Sequence, residues 1–390
     1  MEDDLYKKIW QVVIIGAGPA GATAAIHLAA KGHEVLLLDK ENFPREKVCG
    51  DGLSLDCINI LKKFGLFEQV RTKGYQISKG SFYTTSGKCI DLNITLTTLK
   101  RRHLDSLLVN KALGLGTIFR KATVENIIFS NNQVILKVKK SDAVIRAKIC
   151  LVATGANVNL IKRINPLYCP KPTAIALRCY VRSKTKLDRF IISFARNIIP
   201  GYSWIFPLGK NEYNIGCCVV FGSKINLKQA FQNFLLDFPV TRKIIEGVFE
   251  ITRPRGSLLR CNLTDNNQVI YKNLMVIGEA AGSTLPLLYE GIGKAMETAE
   301  LAASVVHKSL VSDNPSILEE FTFLLDGLKL KHNGYTIAQK WFSNPWLIDL
   351  MAWRANNSEF AKKSFLGILN EQIDPKAIFS ASGVIRSFFS

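Results

Sequence analysis

The turn Gly16-Ala17-Gly18-Pro19-Ala20-Gly21, with Asp39 farther on, has the spacing of a site for the pyrophosphate and ribose of a dinucleotide. In such a turn the first glycine permits a sharp backbone, the second lets the main chain approach the phosphates, and the third lets the next helix sit close on a sheet. Phosphate charge then meets the free N–H groups of a helix N-terminus, and Asp39 stands where a carboxylate accepts a ribose hydroxyl. The remaining reactive side chains lack such order. The nine cysteines include no CxxC pair, adjacent Cys217 and Cys218 are too close for an ordinary bridge, and the five histidines lie far apart. Neither a metal site nor a disulfide framework is expected, and a reducing, cytoplasmic setting suits these cysteines.

The turn needs elements to hold it. An apolar run at residues 10–15 reads as the strand that delivers it, a small apolar helix follows through Ala29, and a second strand at 34–38 carries Asp39. A loop with Gly50 and Gly52 then leads into a helix at 55–64, and loops of this kind put backbone against a cofactor. A hairpin at 80–92, a helix at 99–113 and a β-meander over 117–152 come next. From 173 to 220 the pattern changes to short strands, followed by a helix at 227–238. The strand 274–277 runs into Gly278-Glu279-Ala280-Ala281-Gly282 and a helix at 291–310 with an apolar stripe. Both chain ends therefore build one nucleotide-binding domain, expected over 1–75, 96–170 and 265–320. A substrate domain of 76–95 and 171–264 is inserted between them, and 321–390 forms a helical tail dense in large apolar residues, among them Trp341, Phe342, Trp346 and Trp353.

Composition agrees with this organisation. The chain's 390 residues exceed one compact core, and 47% apolar content is ample for two. Net charge is +19, and residues 96–150 hold eleven Lys or Arg against three acids, so anionic partners are expected. No nucleic-acid module or interleaved stacking platform is present, and no nucleic acid is expected. Anionic lipid headgroups or a diphosphate suit the charge, with a merely solvated basic surface as the alternative. The apolar stretch at 12–30 is not read as a membrane segment, because its Gly and Pro belong to the turn and Glu2, Asp3 and Asp4 precede it.

Four segments together carry a resemblance: the Gly16 turn, residues 45–54, residues 101–105 and residues 278–292. Pro44, Lys47, Cys49 and Gly50 match a PxxKxCG loop, and Tyr202, Trp204, Phe206 and Pro207 match a YxWxFP signature. On these residues the chain resembles the flavin-dependent geranylgeranyl reductase family, within the hydroxylase-like flavoproteins. That likeness implies an α/β fold: a Rossmann-type FAD-binding domain, an inserted antiparallel β-sheet substrate domain and a C-terminal helical region. FAD would lie extended along Gly16, Gly18, Pro19, Ala20 and Gly21, with Asp39 and Lys40 at the adenosine end beside Val124. Arg101 would serve the pyrophosphate or ribityl chain, and Lys47 and Arg45 a phosphate or the flavin; Cys49, Gly50 and Gly52 would serve the flavin, and Gly278, Glu279, Gly291 and Ile292 its ribityl and ring. The family usually has Asp where this chain has Glu279, and many relatives have Gly where Tyr289 stands, so the wall near the flavin ring should be reshaped.

By the same resemblance, Tyr202, Trp204, Phe206, Pro207 and Tyr289 would line a tunnel for an isoprenoid lipid or prenyl diphosphate. Large rigid rings suit an apolar chain, although an aromatic strand unaided is more often plain core. The implied reaction is hydride transfer from reduced flavin to a carbon–carbon double bond, with Cys49 beside the flavin as proton donor or packing element. Only one dinucleotide fingerprint is present, so electrons would come from visiting NAD(P)H or a ferredoxin-like donor. Two other classes compete: an oxygen-dependent flavin hydroxylase, epoxidase or halogenase, and a non-catalytic isoprenoid carrier that keeps FAD for structure. Charge and tail aromatics further imply peripheral contact with an anionic membrane.

Overall fold

The computed structural model describes residues 4–165, 171–265 and 268–378; Glu2, Asp3 and Cys169 lie outside these ranges. Ile9–Ile15 is the central strand of the first sheet, and Val12, Val13 and Ile14 are fully buried, as in parallel strands covered on both faces. It pairs in parallel with Val35–Asp39 on one side and Val144–Val152 on the other. Ile118–Lys121 and Leu274–Val276 extend this parallel core outward. The expected meander over 117–152 therefore splits. Ile118–Lys121 follows the helix Arg101–Gly114, which acts as a crossover and makes the strand parallel; only Val124–Ser130, Gln133–Val138 and Val144–Val152 run antiparallel. The helix Pro19–Ala29 packs against Arg101–Gly114 and Ile292–Val311, a close approach that its small side chains allow.

A second, nine-stranded sheet combines Gly52–Leu53 and the hairpin Tyr75–Tyr83 and Cys89–Thr98 with strands from 174 to 259. It is antiparallel except where Phe190–Ser193 lies parallel to residues 80–83. That pair joins the two separate insertions, where no hairpin dictates direction. Its strands alternate. Ile205 and Ile215 face a core with Phe231, Phe234 and Ile244 from the helices Leu227–Asp237 and Pro239–Glu246. Trp204 faces the other way, into a cluster with Phe82, Phe194 and Phe342. The helices Glu320–Trp341, Pro345–Asn357 and Glu359–Leu369 close that side. Among the described residues, no helix is long and apolar enough to cross a membrane.

Candidate active site

A cavity of about 1910 Å³ runs from the glycine turn to the aromatic face of the second sheet. At its head, Gly16 has φ of 102°, and a Cβ there would lie 2.3 Å from the Ala153 oxygen. A Cβ on Gly21 would lie 1.8 Å from the Gly16 oxygen, so Gly21 serves by letting the helix begin against the turn and does not itself face the cavity. Gly18 differs. A Cβ there would meet only Nη2 of Arg45 at 3.5 Å and Nη2 of Arg101 at 3.9 Å. Two guanidiniums and a helix N-terminus thus converge on Gly18, the charge complement of a pyrophosphate. Buried Asp105 receives Arg101 Nε at 2.7 Å and Nη2 at 2.9 Å, and lies 3.3 Å from Arg45. Burial works against the charge on Arg101, but Asp105 raises its pKa above the ordinary value.

Asp39 lines the cavity while accepting from Ala17 N at 2.8 Å and Glu41 N at 3.0 Å. It shapes the turn that it faces, and its remaining lone pairs are left for a ribose hydroxyl. Pro19, Ala20 and Val124 line the wall, with exposed Lys40 at the rim. Gly278 does not: with φ of 65°, it turns toward Ala20, whose Cβ would be 2.7 Å from a Cβ on Gly278. It spaces this segment from the glycine helix, and Glu279 beside it reaches the cavity instead. Gly291 and Ile292 line the wall at the start of Ile292–Val311.

The loop that carries Lys47, Cys49, Gly50 and Gly52 lies over Phe206, which is 3.2 Å from where a Cβ on Gly50 would be. Asp51 anchors this loop. Fully buried at φ 65°, it accepts from Tyr180 Oη at 2.7 Å, Asn214 Nδ2 at 2.8 Å and Arg101 N at 3.2 Å. Burial raises its carboxyl pKa, and these hydrogen bonds oppose the rise. Asn214 also donates to Cys49 O at 2.8 Å and accepts from Trp204 Nε1 at 3.0 Å, so one buried network orients the loop and the indole. Asp51 and Asn214 were not among the residues singled out by sequence; the one available signal was an acid between the two loop glycines. Burial also pushes the Cys49 thiol pKa up, which favours packing over proton donation.

Tyr202, Trp204 and Phe206 share a strand face, line the cavity and meet at ring separations of 6.1 and 6.2 Å. Pro207 does not line it. One residue on, it points to the opposite face, and its carbonyl accepts from Thr98 Oγ1 at 2.7 Å. Tyr289 adopts φ 51°, a conformation that favours glycine, and its ring lies 5.8 Å from that of Tyr202. Gln339 of the tail donates to its hydroxyl at 2.9 Å. Phe342 and Phe365 bring the tail itself into the cavity wall.

Glu279 and Glu290 on the wall are also perturbed. Burial raises Glu279, opposed by Lys47, whose own ammonium is lowered by burial. Glu290 is pushed up to about 7 by burial and by Glu371; its Oε1 accepts from Gly293 N at 2.7 Å, while Oε2 is buried with no hydrogen-bond partner among the described residues.

Residues 10–187 match the family described as pyridine nucleotide-disulphide oxidoreductase. A menaquinone reductase of Mycolicibacterium smegmatis is 28% identical over 327 residues, covering 79% of this chain and 80% of that one. Digeranylgeranylglycerophospholipid reductase 2 of Methanococcoides burtonii is 25% identical over 402 residues, covering 96% and 94%. Conditioned medium factor receptor 1 of Dictyostelium discoideum is 26% identical, and the chain spans 63% of its length. Among solved structures, a geranylgeranyl bacteriochlorophyll reductase-like protein from Thermoplasma acidophilum superposes with a TM-score of 0.77 at 19% identity, over 98% of this chain and 96% of that one. A flavin-dependent brominase gives the same TM-score at 18% identity, over 98% and 99%. The cavity fits the implied dinucleotide, since Gly18 leaves space between two cations where Gly16 and Gly21 leave none. With that cradle in place, the chain is an FAD-dependent oxidoreductase, similar in sequence to digeranylgeranylglycerophospholipid reductases and in fold to a geranylgeranyl bacteriochlorophyll reductase-like protein.

Proposed function

We propose that this protein reduces carbon–carbon double bonds of an isoprenoid lipid or prenyl diphosphate, with electrons supplied by NAD(P)H or a ferredoxin-like donor. The observation that carries this reading is the single cavity joining the Gly18 cradle to a wall of Tyr202, Trp204, Phe206 and Phe342. Relatives that share most of this chain's length bear the names menaquinone reductase and digeranylgeranylglycerophospholipid reductase, and their names support a prenyl-lipid substrate.

Bound FAD, once reduced by that donor, would supply hydride to one alkene carbon while the other takes a proton. The chain's own residues then bind and orient. Arg45, Arg101 and the helix at Pro19 hold the phosphates, Asp39 and Glu279 accept hydroxyls, and Gly291 and Ile292 offer N–H groups at a helix start. The rings exclude water and hold an apolar chain, and Asn214 fixes the plane of Trp204. Cys49 packs beside the reacting region as a protonated thiol. The division into a cofactor domain (1–75, 96–170, 265–320), a substrate sheet (76–95, 171–264) and a tail (321–390) follows these roles. Trp346, Trp353 and Phe360 are exposed on the tail and, with the chain's excess of basic residues, would meet an anionic membrane.

Anaerobic turnover tests the reading. Enzyme reduced by dithionite should convert a geranylgeranyl diphosphate or ether lipid to hydrogenated product, with flavin reoxidation matching product. If the flavin stays reduced with every prenyl substrate until air is admitted, and product then contains oxygen or halogen, an oxygenase or halogenase takes its place.

A further inference from the structure

Arg178 lies on the cavity wall outside the Gly18 cradle and is 2% exposed. Its Nε and Nη2 are buried with no hydrogen-bond partner among the described residues. Glu46, on a side chain 42% exposed, comes only to 3.7 Å. The guanidinium stacks on Tyr180, 3.9 Å from the ring centroid, while the Tyr180 hydroxyl is engaged with Asp51. Stacking fixes the plane of the fork and leaves its edge without hydrogen bonds. A buried cation in that state is costly until an anion meets it.

The surrounding register supplies further polar groups. Ala174–Ser183 pairs with Arg255–Leu259 so that Arg178 lies opposite Arg255 and Ala176 opposite Ser257, which places Arg178 and Ser257 on one face. Ser257 Oγ accepts from Lys47 Nζ at 3.4 Å, and both residues line the cavity. On the same face, Arg178 lies opposite Gly216 and Gly216 opposite Trp204. One wall thus passes from a cationic edge to an aromatic centre within three strands. Arg45 and Arg101 are tied to Asp105, whereas Arg178 belongs to the other sheet and has other neighbours.

We propose that Arg178, Lys47 and Ser257 form a second anion subsite, one that takes a phosphate ester. Two sources share that chemistry, and both rest on the function proposed above: the phosphate of a prenyl substrate and the 2′-phosphate of a nicotinamide donor. The test begins with calorimetric titration of the FAD-loaded protein with inorganic pyrophosphate, the Gly18 cradle being already filled. One saturable site is expected, weakened about tenfold or more in Arg178→Met and less in Arg178→Lys. Unchanged affinity in Arg178→Met, or no saturable site in the wild type, overturns the proposal. If Arg178→Met fails to hold FAD, Lys47→Gln and Ser257→Ala decide, and unchanged affinity in both overturns it.

Two further measurements separate the sources. Flavin reduction by NADPH against NADH reads the donor arm, and binding of geranylgeranyl diphosphate against geranylgeraniol to oxidised enzyme reads the headgroup arm. A preference for the phosphorylated partner that falls about tenfold in one arm of Arg178→Met assigns the source. Weaker pyrophosphate binding with both arms unchanged reduces the site to an adventitious ion only and overturns the assignment. None of these measurements requires alkene turnover, so they stand even if no double bond is reduced.

Discussion

Asp105 holds Arg101 one helical turn away through two parallel hydrogen bonds, and the same carboxylate lies 3.3 Å from Arg45. One buried anion therefore positions both cations that flank Gly18. Asp105→Asn should weaken FAD binding by about tenfold to a hundredfold, as loss of a charge-assisted pair does. Equilibrium dialysis of FAD against wild type checks it, with circular dichroism confirming the fold.

Gly18→Val should abolish FAD retention while the chain still folds, because its methyl groups enter the space between Arg45 and Arg101. Gly21→Val should instead fail to fold, since its Cβ would collide with the Gly16 backbone. The ratio of flavin absorbance to protein, together with soluble yield, distinguishes the two.

Trp204→Ala should slow prenyl turnover at a cost of about 1–3 kcal/mol through lost apolar contact. Trp204→Phe should keep most of the contact but remove the donor to Asn214, so its effect should appear as lower stability of the loop at Asp51. Steady-state kinetics and hydrogen exchange over residues 47–54 separate these effects.

Glu290 carries a pH signature. Its folded pKa of about 7 stands above the ordinary 4.5, raised by burial and Glu371 and opposed by Lys294. Protonated carboxyl is the form that the fold favours, so its contribution is fully present below about pH 4.5 and is lost as pH rises through about 7. Wild type should lose up to about 3 kcal/mol relative to Glu290→Gln between those values. Parallel denaturant unfolding of the two proteins across this range checks the sign, and equal slopes would refute it.

Alanine at Trp346, Trp353 and Phe360 together should reduce sedimentation with anionic liposomes while FAD content stays unchanged, because all three rings are exposed. Binding that is indifferent to the triple variant would remove the membrane-contact reading. Truncation after Gly334 is a harsher test, since it also deletes Phe342 and Phe365 from the cavity wall.

The glycine turn was legible because its residues lie within a few positions of one another and each has one steric job. The aromatic triplet was legible for a similar reason, as alternation along one strand sets its face; the same alternation should have excluded Pro207. Asp51, Asn214 and Arg178 were not legible. Asp51 meets Tyr180 and Asn214 across 129 and 163 residues, and only tertiary packing buries those groups together. At residues 278 and 279 the acid, not the glycine, reaches the cavity, a division of roles that only the packing against Ala20 reveals.

The strand Gly201–Gly209 presents Trp204 to the cavity and Ile205 to a separate core. Its two faces are thus open to independent variation. A descendant of this gene could exchange the rings at 202 and 206 to reshape the cavity, keeping Trp204 for its bond to Asn214, while the buried aliphatic side keeps the sheet in register. Selectivity and folding are inherited through alternate letters of one short word, and changes to the first need not jeopardise the second.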